Sequence, residues 1–115
     1  MTELNNKLHI INEKAASFGD IPVVFTADMN FNEGSPYYNA MLAENVLYDT
    51  KYLAEDTMDY LTYHDRTPSA HNGNVIDFVM VNEKFDALVY KVVTANESAH
   101  YVSDHFPVYA DIVIK

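Results

Sequence analysis

The stretch Ser103-Asp104-His105-Phe106-Pro107-Val108-Tyr109-Ala110-Asp111-Ile112-Val113-Ile114 is where the chain declares its architecture most openly. Phe106, Val108, Ala110, Ile112 and Ile114 fall on one side of an extended backbone, with Tyr109, Asp111 and Lys115 on the other. That period of two is the pattern of a strand with one buried face. Just before it, an acid and an imidazole stand side by side behind a serine. At a strand mouth such a pair can share a phosphate and its metal, one side chain coordinating while the other donates. A plain polar loop end accounts for the same tripeptide.

Moving upstream, residues 87–94 and 75–81 predict two further strands. The second of these is nearly all apolar, with Asp77 set inside Val75-Ile76-Asp77-Phe78-Val79. A carboxylate there loses hydration and must be paired, at a cost on the order of several kcal/mol if left bare. The alternative has Asp77 facing solvent on the open side of a one-sided sheet. Residues 21–27 are apolar and β-branched and predict a strand buried on both sides. That strand ends in the polar cluster Asp28, Asn30, Asn32 and Glu33. Asp28 and Asn30, two residues apart on extended backbone, project to the same side, so an acceptor and a donor converge on one small target. A strand-end turn in which both bond local backbone is the plainer reading.

Two helices complete the pattern. Leu4, Leu8, Ile11, Ala15 and Phe18 recur at helical spacing, Gly19 sits where a left-handed stop is wanted, and Pro22 prevents resumption. Ser35 and Pro36 read as N-cap and first helical residue of a second helix whose apolar face is Tyr37, Tyr38, Met41, Leu42 and Val46. From residue 49 to residue 74 periodicity is lost. This segment reads as a long loop with a short strand near residues 61–63, and loops of that length usually serve a function or are mobile. His64, Asp65, His71 and Asn72 within it match no metal-ligand spacing. His9 and His100 read as solvated. Helix, strand, helix, long loop and three closing strands make an α+β order rather than a regular βαβ alternation.

Composition narrows the function. The chain has 115 residues, 49% apolar and 21% charged, which is one domain's worth of globular protein. The longest uninterrupted apolar run is a few residues, against the roughly 20 of a spanning helix, so no membrane role is expected. The absence of cysteine removes disulfides, thiol nucleophiles and cysteine-ligated zinc. No secretory signal opens the chain, which implies a cytoplasmic protein if the chain is complete; for a piece of a longer one the address is open. Seventeen acids against seven Lys and Arg give −10. Such a chain repels polyphosphates and anionic membrane surfaces at long range, and non-specific nucleic-acid binding is not expected of it. Phosphate chemistry here needs a divalent cation to cancel the local field.

Three of these segments, in this order, resemble the endonuclease/exonuclease/phosphatase superfamily, the deoxyribonuclease I-like fold. Thr26-Ala27-Asp28-Met29-Asn30 resembles its "G-D-x-N" motif, with Ala27 where the family usually has Gly. Ile76-Asp77-Phe78-Val79 looks like its "I-D-Y/F" strand, and Ser103-Asp104-His105-Phe106-Pro107-Val108 is similar almost letter for letter to its C-terminal "S-D-H-x-P-V". The resemblance implies metal-dependent cleavage of a phosphoester, with magnesium, or manganese in its place. By similarity Asp28 would orient or deprotonate the attacking water, and Asn30 would hydrogen-bond the scissile phosphate or that water. His105 would stabilise charge on the phosphoryl oxygens, held in orientation by Asp77, and Asp104 would help hold the cation. A hard ion takes oxygen ligands and offsets an acidic site that otherwise repels its substrate.

The same resemblance implies that residues 1–115 are only the C-terminal half of such a domain. Missing are the first strands with their metal-binding Glu, and no Glu in this chain stands in a matching context. The expected architecture is a partial α/β/β/α sandwich, one mixed sheet with helices on one face. The other face then lacks cover, and exposed apolar patches of that size do not persist in monomers. Its expected occupant is the missing N-terminal half or, by self-association, another copy of the chain. Three readings follow. One is a metal-dependent phosphoester hydrolase, phosphodiesterase or nuclease-like, incomplete as this chain alone. Another is a non-catalytic structural or interaction remnant of the same fold. A nucleic-acid binder without chemistry is disfavoured by the charge. The substrate among DNA, RNA, lipid headgroups, inositol phosphates and smaller esters is not named by fold.

Overall fold

In the computed structural model, residues 3–65, 74–94 and 103–115 are described. His71, Asn72 and His100 lie outside them.

The first helix, α1 (Glu3–Ser17), ends as its sequence dictates, with Gly19 at φ 62°, a left-handed position that an L side chain resists. Strand β1 (Val24–Asp28) follows, and then α2 (Pro36–Leu42), whose N-cap Ser35 accepts the Tyr38 N–H at 3.2 Å. Tyr38 and Met41 are its buried residues. Leu8, Phe31, Tyr38, Met41, Leu47, Phe78 and Met80 form the main core between these helices and the sheet. Asn12, fully buried on α1, ties the two helices by donating to the Met41 carbonyl at 3.0 Å. Phe18, expected on the buried face of α1, is 41% exposed, because the helix ends at Ser17 and the chain has already turned away.

The described part of residues 49–74 holds more structure than a loop. A two-residue strand, β2 (Tyr48–Asp49), runs into a single-turn helix, α3 (Thr50–Leu53), capped by the Asp49 carboxylate on the Lys51 N–H at 3.0 Å. Residues 61–63 do not form a strand of their own; Tyr63 makes an isolated antiparallel bridge with His105.

The closing strands are β3 (Asp77–Val81), β4 (Phe85–Val92) and β5 (Val108–Ile114). The fold is α+β with antiparallel pairing throughout the named strands: β1-β3-β2 form one ladder and β4-β5 another. The strands thus divide into two ladders where the sequence reading has one mixed sheet. β5 lies against β3, but residues 62–64 are wedged between the lead-in to β3 and the lead-in to β5. Thr62 accepts from the Ile76 N–H, and Phe106 donates to the Thr62 carbonyl, which takes up the groups that direct pairing would use.

β1 is not buried on both sides. Phe25 and Ala27 turn toward the helices, whereas Val24, Thr26 and Asp28 are exposed. Among the described residues nothing covers that face. Register places Val24 opposite Val81, Thr26 opposite Val79 and Asp28 opposite Asp77; on β3 that side is covered, with Val81 fully buried and Val79 partly so, and it ends in two carboxylates.

Candidate active site

Asp28 is the last residue of β1 and Asp77 the first of β3, and the two face each other across the ladder. Met29 N–H donates to the Ile76 carbonyl at 2.8 Å, which makes 28/77 the non-hydrogen-bonded pair, where opposed side chains lie closest. Like charges directly opposite repel. The arrangement stands because an imidazole enters beside it. His105 Nδ1 lies 2.7 Å from Asp77 Oδ2, while its Nε2 lies 3.7 Å from Asp28 Oδ2 and 3.6 Å from Asp104 Oδ1. With the Asp77 carboxylate as acceptor, Nδ1 carries the proton of that bond, and Nε2 faces the other two acids.

The loop before β5 is folded to aim this ring. Ser103 Oγ accepts the His105 N–H at 3.1 Å, and the Asp104 carbonyl accepts the His64 N–H at 2.9 Å. Tyr63 sets its ring edge-on to the imidazole at 5.2 Å between centroids, and buried His64 lies 4.3 Å from the Phe106 ring. Burial works against a charged imidazolium, but the Asp77 hydrogen bond and the charges of Asp77, Asp28 and Asp104 outweigh it and hold His105 above its ordinary value.

The site opens into a cavity of about 420 Å³ with Asp28, Asp77, Ser103 and His105 on one side and Phe106, Pro107 and Val108 on the other. Asp77, set between solvent and core by the sequence, is partly buried and paired with His105. Asn30 follows the plainer of its two readings, the strand-end turn. It sits beyond the end of β1 at φ 57°, a left-handed conformation that Asn tolerates, and its backbone N–H donates to Asp28 Oδ1 at 3.0 Å. The extended backbone that would align the two side chains stops at Asp28, and the contact between these residues runs through a turn.

The donor set suits a hard cation. Ligand atoms of Asp28, Asp77 and His105 lie within 4.8 Å of one another. Asp104 stands outside that trio but borders it through His105 Nε2. Three acids around one imidazole leave an excess of negative charge that a divalent ion would balance. Sequence reasoning missed Thr62 and His64 as neighbours of the site. Their signal is tertiary, since each meets residues more than ten positions away.

No protein-family model and no curated protein matches the chain. Solved structures do. An endonuclease/exonuclease/phosphatase from Bacteroides vulgatus superposes with a TM-score of 0.85 at 26% identity, over 97% of this chain and 44% of that one. A mannosyl-6-phosphatase from Bacteroides thetaiotaomicron gives 0.79 at 24% identity, over 93% and 44%. A third, an endonuclease/exonuclease/phosphatase from Beutenbergia cavernae, gives 0.67 at 27% identity, over 93% and 30%. The chain spans less than half the length of each of these proteins. Fold and motif order together identify it as a C-terminal half or fragment of the deoxyribonuclease I-like, phosphoesterase-type fold of endonuclease/exonuclease/phosphatase proteins.

Proposed function

We propose that this chain supplies the general base and charge-stabilising side of a metal-dependent phosphoester hydrolase, and that the chain alone is an incomplete site. The observation that carries the reading is the His105 ring, bonded at 2.7 Å to Asp77 and facing Asp28 and Asp104 with its other nitrogen. Asp77 fixes the tautomer and orientation of the ring and raises its basicity. His105 then offers Nε2, protonated, to a phosphoryl oxygen, where charge accumulates as the ester cleaves. Asp28, at the open end of β1, orients a water or takes its proton. Asn30, on the turn that follows β1, would hydrogen-bond the phosphate or the attacking water. Asp104, with Asp28 beside it, would hold the magnesium or manganese ion, whose chemistry when bound is polarisation of the phosphoryl oxygens and cancellation of the acidic field.

The mannosyl-6-phosphatase among the similar structures makes a phosphate monoester as reasonable a substrate as a diester. A nuclease-like role is less favoured by a net charge of −10. The second reading is a non-catalytic remnant of the same fold. Magnesium titration of the chain by calorimetry, and hydrolysis of aryl phosphate mono- and diesters by the chain mixed with a polypeptide carrying the other half of the fold, separate the two. The hydrolase reading expects metal-dependent turnover that falls by about 10²–10⁴-fold in Asp28→Ala and in His105→Ala. Turnover that survives both substitutions puts the chemistry elsewhere. No turnover, with magnesium held no better than by any acidic surface, favours the remnant.

A further inference from the structure

We infer that Thr62 is the positioning residue of the Asp77–His105 pair, its hydroxyl fixing the backbone of one partner while its carbonyl fixes the lead-out of the other. Thr62 is fully buried. Its Oγ1 accepts two successive amides, Ile76 N–H at 3.0 Å and Asp77 N–H at 3.3 Å, and reaches the Asn74 carbonyl at 3.4 Å. On its other side the Thr62 carbonyl accepts the Phe106 N–H at 2.7 Å, and the next residue, Tyr63, bridges His105 directly.

The consequence is geometric. Asp77 is the first residue of β3, where a strand end is ordinarily free to fray. His105 lies three residues before β5. Asp77 pairs with Asp28 at the end of the β1–β3 ladder, but its own amide points away from β1 to Thr62, and His105 lies outside the β4–β5 ladder. Among the described residues, Thr62 is the one whose side chain bonds the Asp77 amide and whose main chain bonds the residue after His105. Few other side chains fit this place. Valine has the shape but leaves two buried amides without an acceptor, whereas serine keeps the oxygen and loses only a methyl group.

This inference rests on the reading of Asp77 and His105 as a working pair, but its test does not depend on turnover. The proton on His105 Nδ1, held against a carboxylate, gives a strongly deshielded resonance in the ¹⁵N-histidine-labelled chain, assigned by its absence in His105→Gln. At fixed pH, Thr62→Val is expected to lose this resonance and Thr62→Ser to keep it, with amide spectra showing both variants folded. A purely structural threonine would lower the unfolding temperature in Thr62→Val and leave the resonance in place, which overturns the assignment. If Thr62→Val does not fold, Thr62→Ser decides: the resonance retained supports the hydroxyl's role, and its loss overturns it. Failure of the hydrolase reading shows instead as absent metal-dependent turnover with the resonance intact.

Discussion

An imidazole ringed by three carboxylates holds its proton to a higher pH than one in water, even where partial burial opposes the charge. His105 is such a ring, and Asp77 contributes both the hydrogen bond and the first of the charges that raise it. Asp77→Asn removes the charge and leaves only a neutral amide oxygen to accept the Nδ1 proton, so the His105 titration midpoint is expected to fall toward the ordinary 6.5, read from imidazole proton shifts across pH 5 to 9. The sign for stability follows. A raised folded value means that the pair stabilises the fold fully below 6.5, and that this contribution is lost as pH rises through the folded value. Chemical unfolding of the wild type should therefore weaken between pH 6.5 and the folded midpoint, and Asp77→Asn should flatten that slope. A slope unchanged by the substitution would detach Asp77 from the charge on the ring.

Buried charge also organises an element, α3, and here the sequence was least informative. Lys51 is almost wholly enclosed and places Nζ 2.7 Å from both Glu33 and Asp59. Tyr52 OH donates to the same Glu33, and Asp49 caps the turn while accepting from Tyr38 OH at 2.9 Å. Burial works against a charged Lys51, but its two carboxylate bonds keep it above its usual range, and burial with the Glu33 bond pushes Tyr52 up to about 12. Both groups keep their protons longer folded than unfolded, so stability should fall as pH rises above about 10, where the unfolded chain starts to release them. Alkaline unfolding followed by circular dichroism checks this, with Tyr52→Phe giving a slope shallower by about one proton. Lys51→Met should cost about 3 kcal/mol at neutral pH, the low end for breaking a buried pair, because Asp59 is itself exposed. None of this was legible beforehand. A four-residue helix shows no period, and a lysine in a polar stretch reads as solvated. Strands β3 and β5, the Ser35 cap and the Gly19 stop were legible because each is written in local chemistry: alternation, a hydroxyl acceptor, a left-handed φ. Asp28, Asp77 and His105 were legible as polar interruptions of apolar strands, and their convergence came from motif order. The wedge at Thr62 was not, since it depends on how distant segments meet, whereas the left-handed turn at Asn30 is local, its N–H on the Asp28 carboxylate two residues back.

Across the whole molecule, the exposed apolar side chains of the two sheets set the behaviour. β1 presents Val24 at 47% exposure, and β5 presents Tyr109 and Val113 at 46% and 44%. Residues two apart on a strand share a face, so Tyr109 and Val113 with Asp111 between them form one stripe. The matched structures are more than twice as long, and in this chain alone these side chains meet water. Each fully covered aliphatic side chain contributes roughly 1.5–3 kcal/mol, so covering even a few of these favours association. A net charge of −10 opposes it at low salt and less so as salt screens the repulsion. The isolated chain is therefore expected to self-associate, more strongly at high ionic strength, with a mass by light scattering above the 13.1 kDa of a monomer. Val24→Lys together with Val113→Lys should return it toward that mass without unfolding it, because both side chains already face solvent. Adding a polypeptide that carries the other half of the fold should compete with self-association for the same face. A compact monomer at every salt concentration would mean that the exposed stripe is too small or too divided by Thr26 and Asp111 to drive assembly. In that case the half-fold stands on the Leu8–Met41–Met80 core alone.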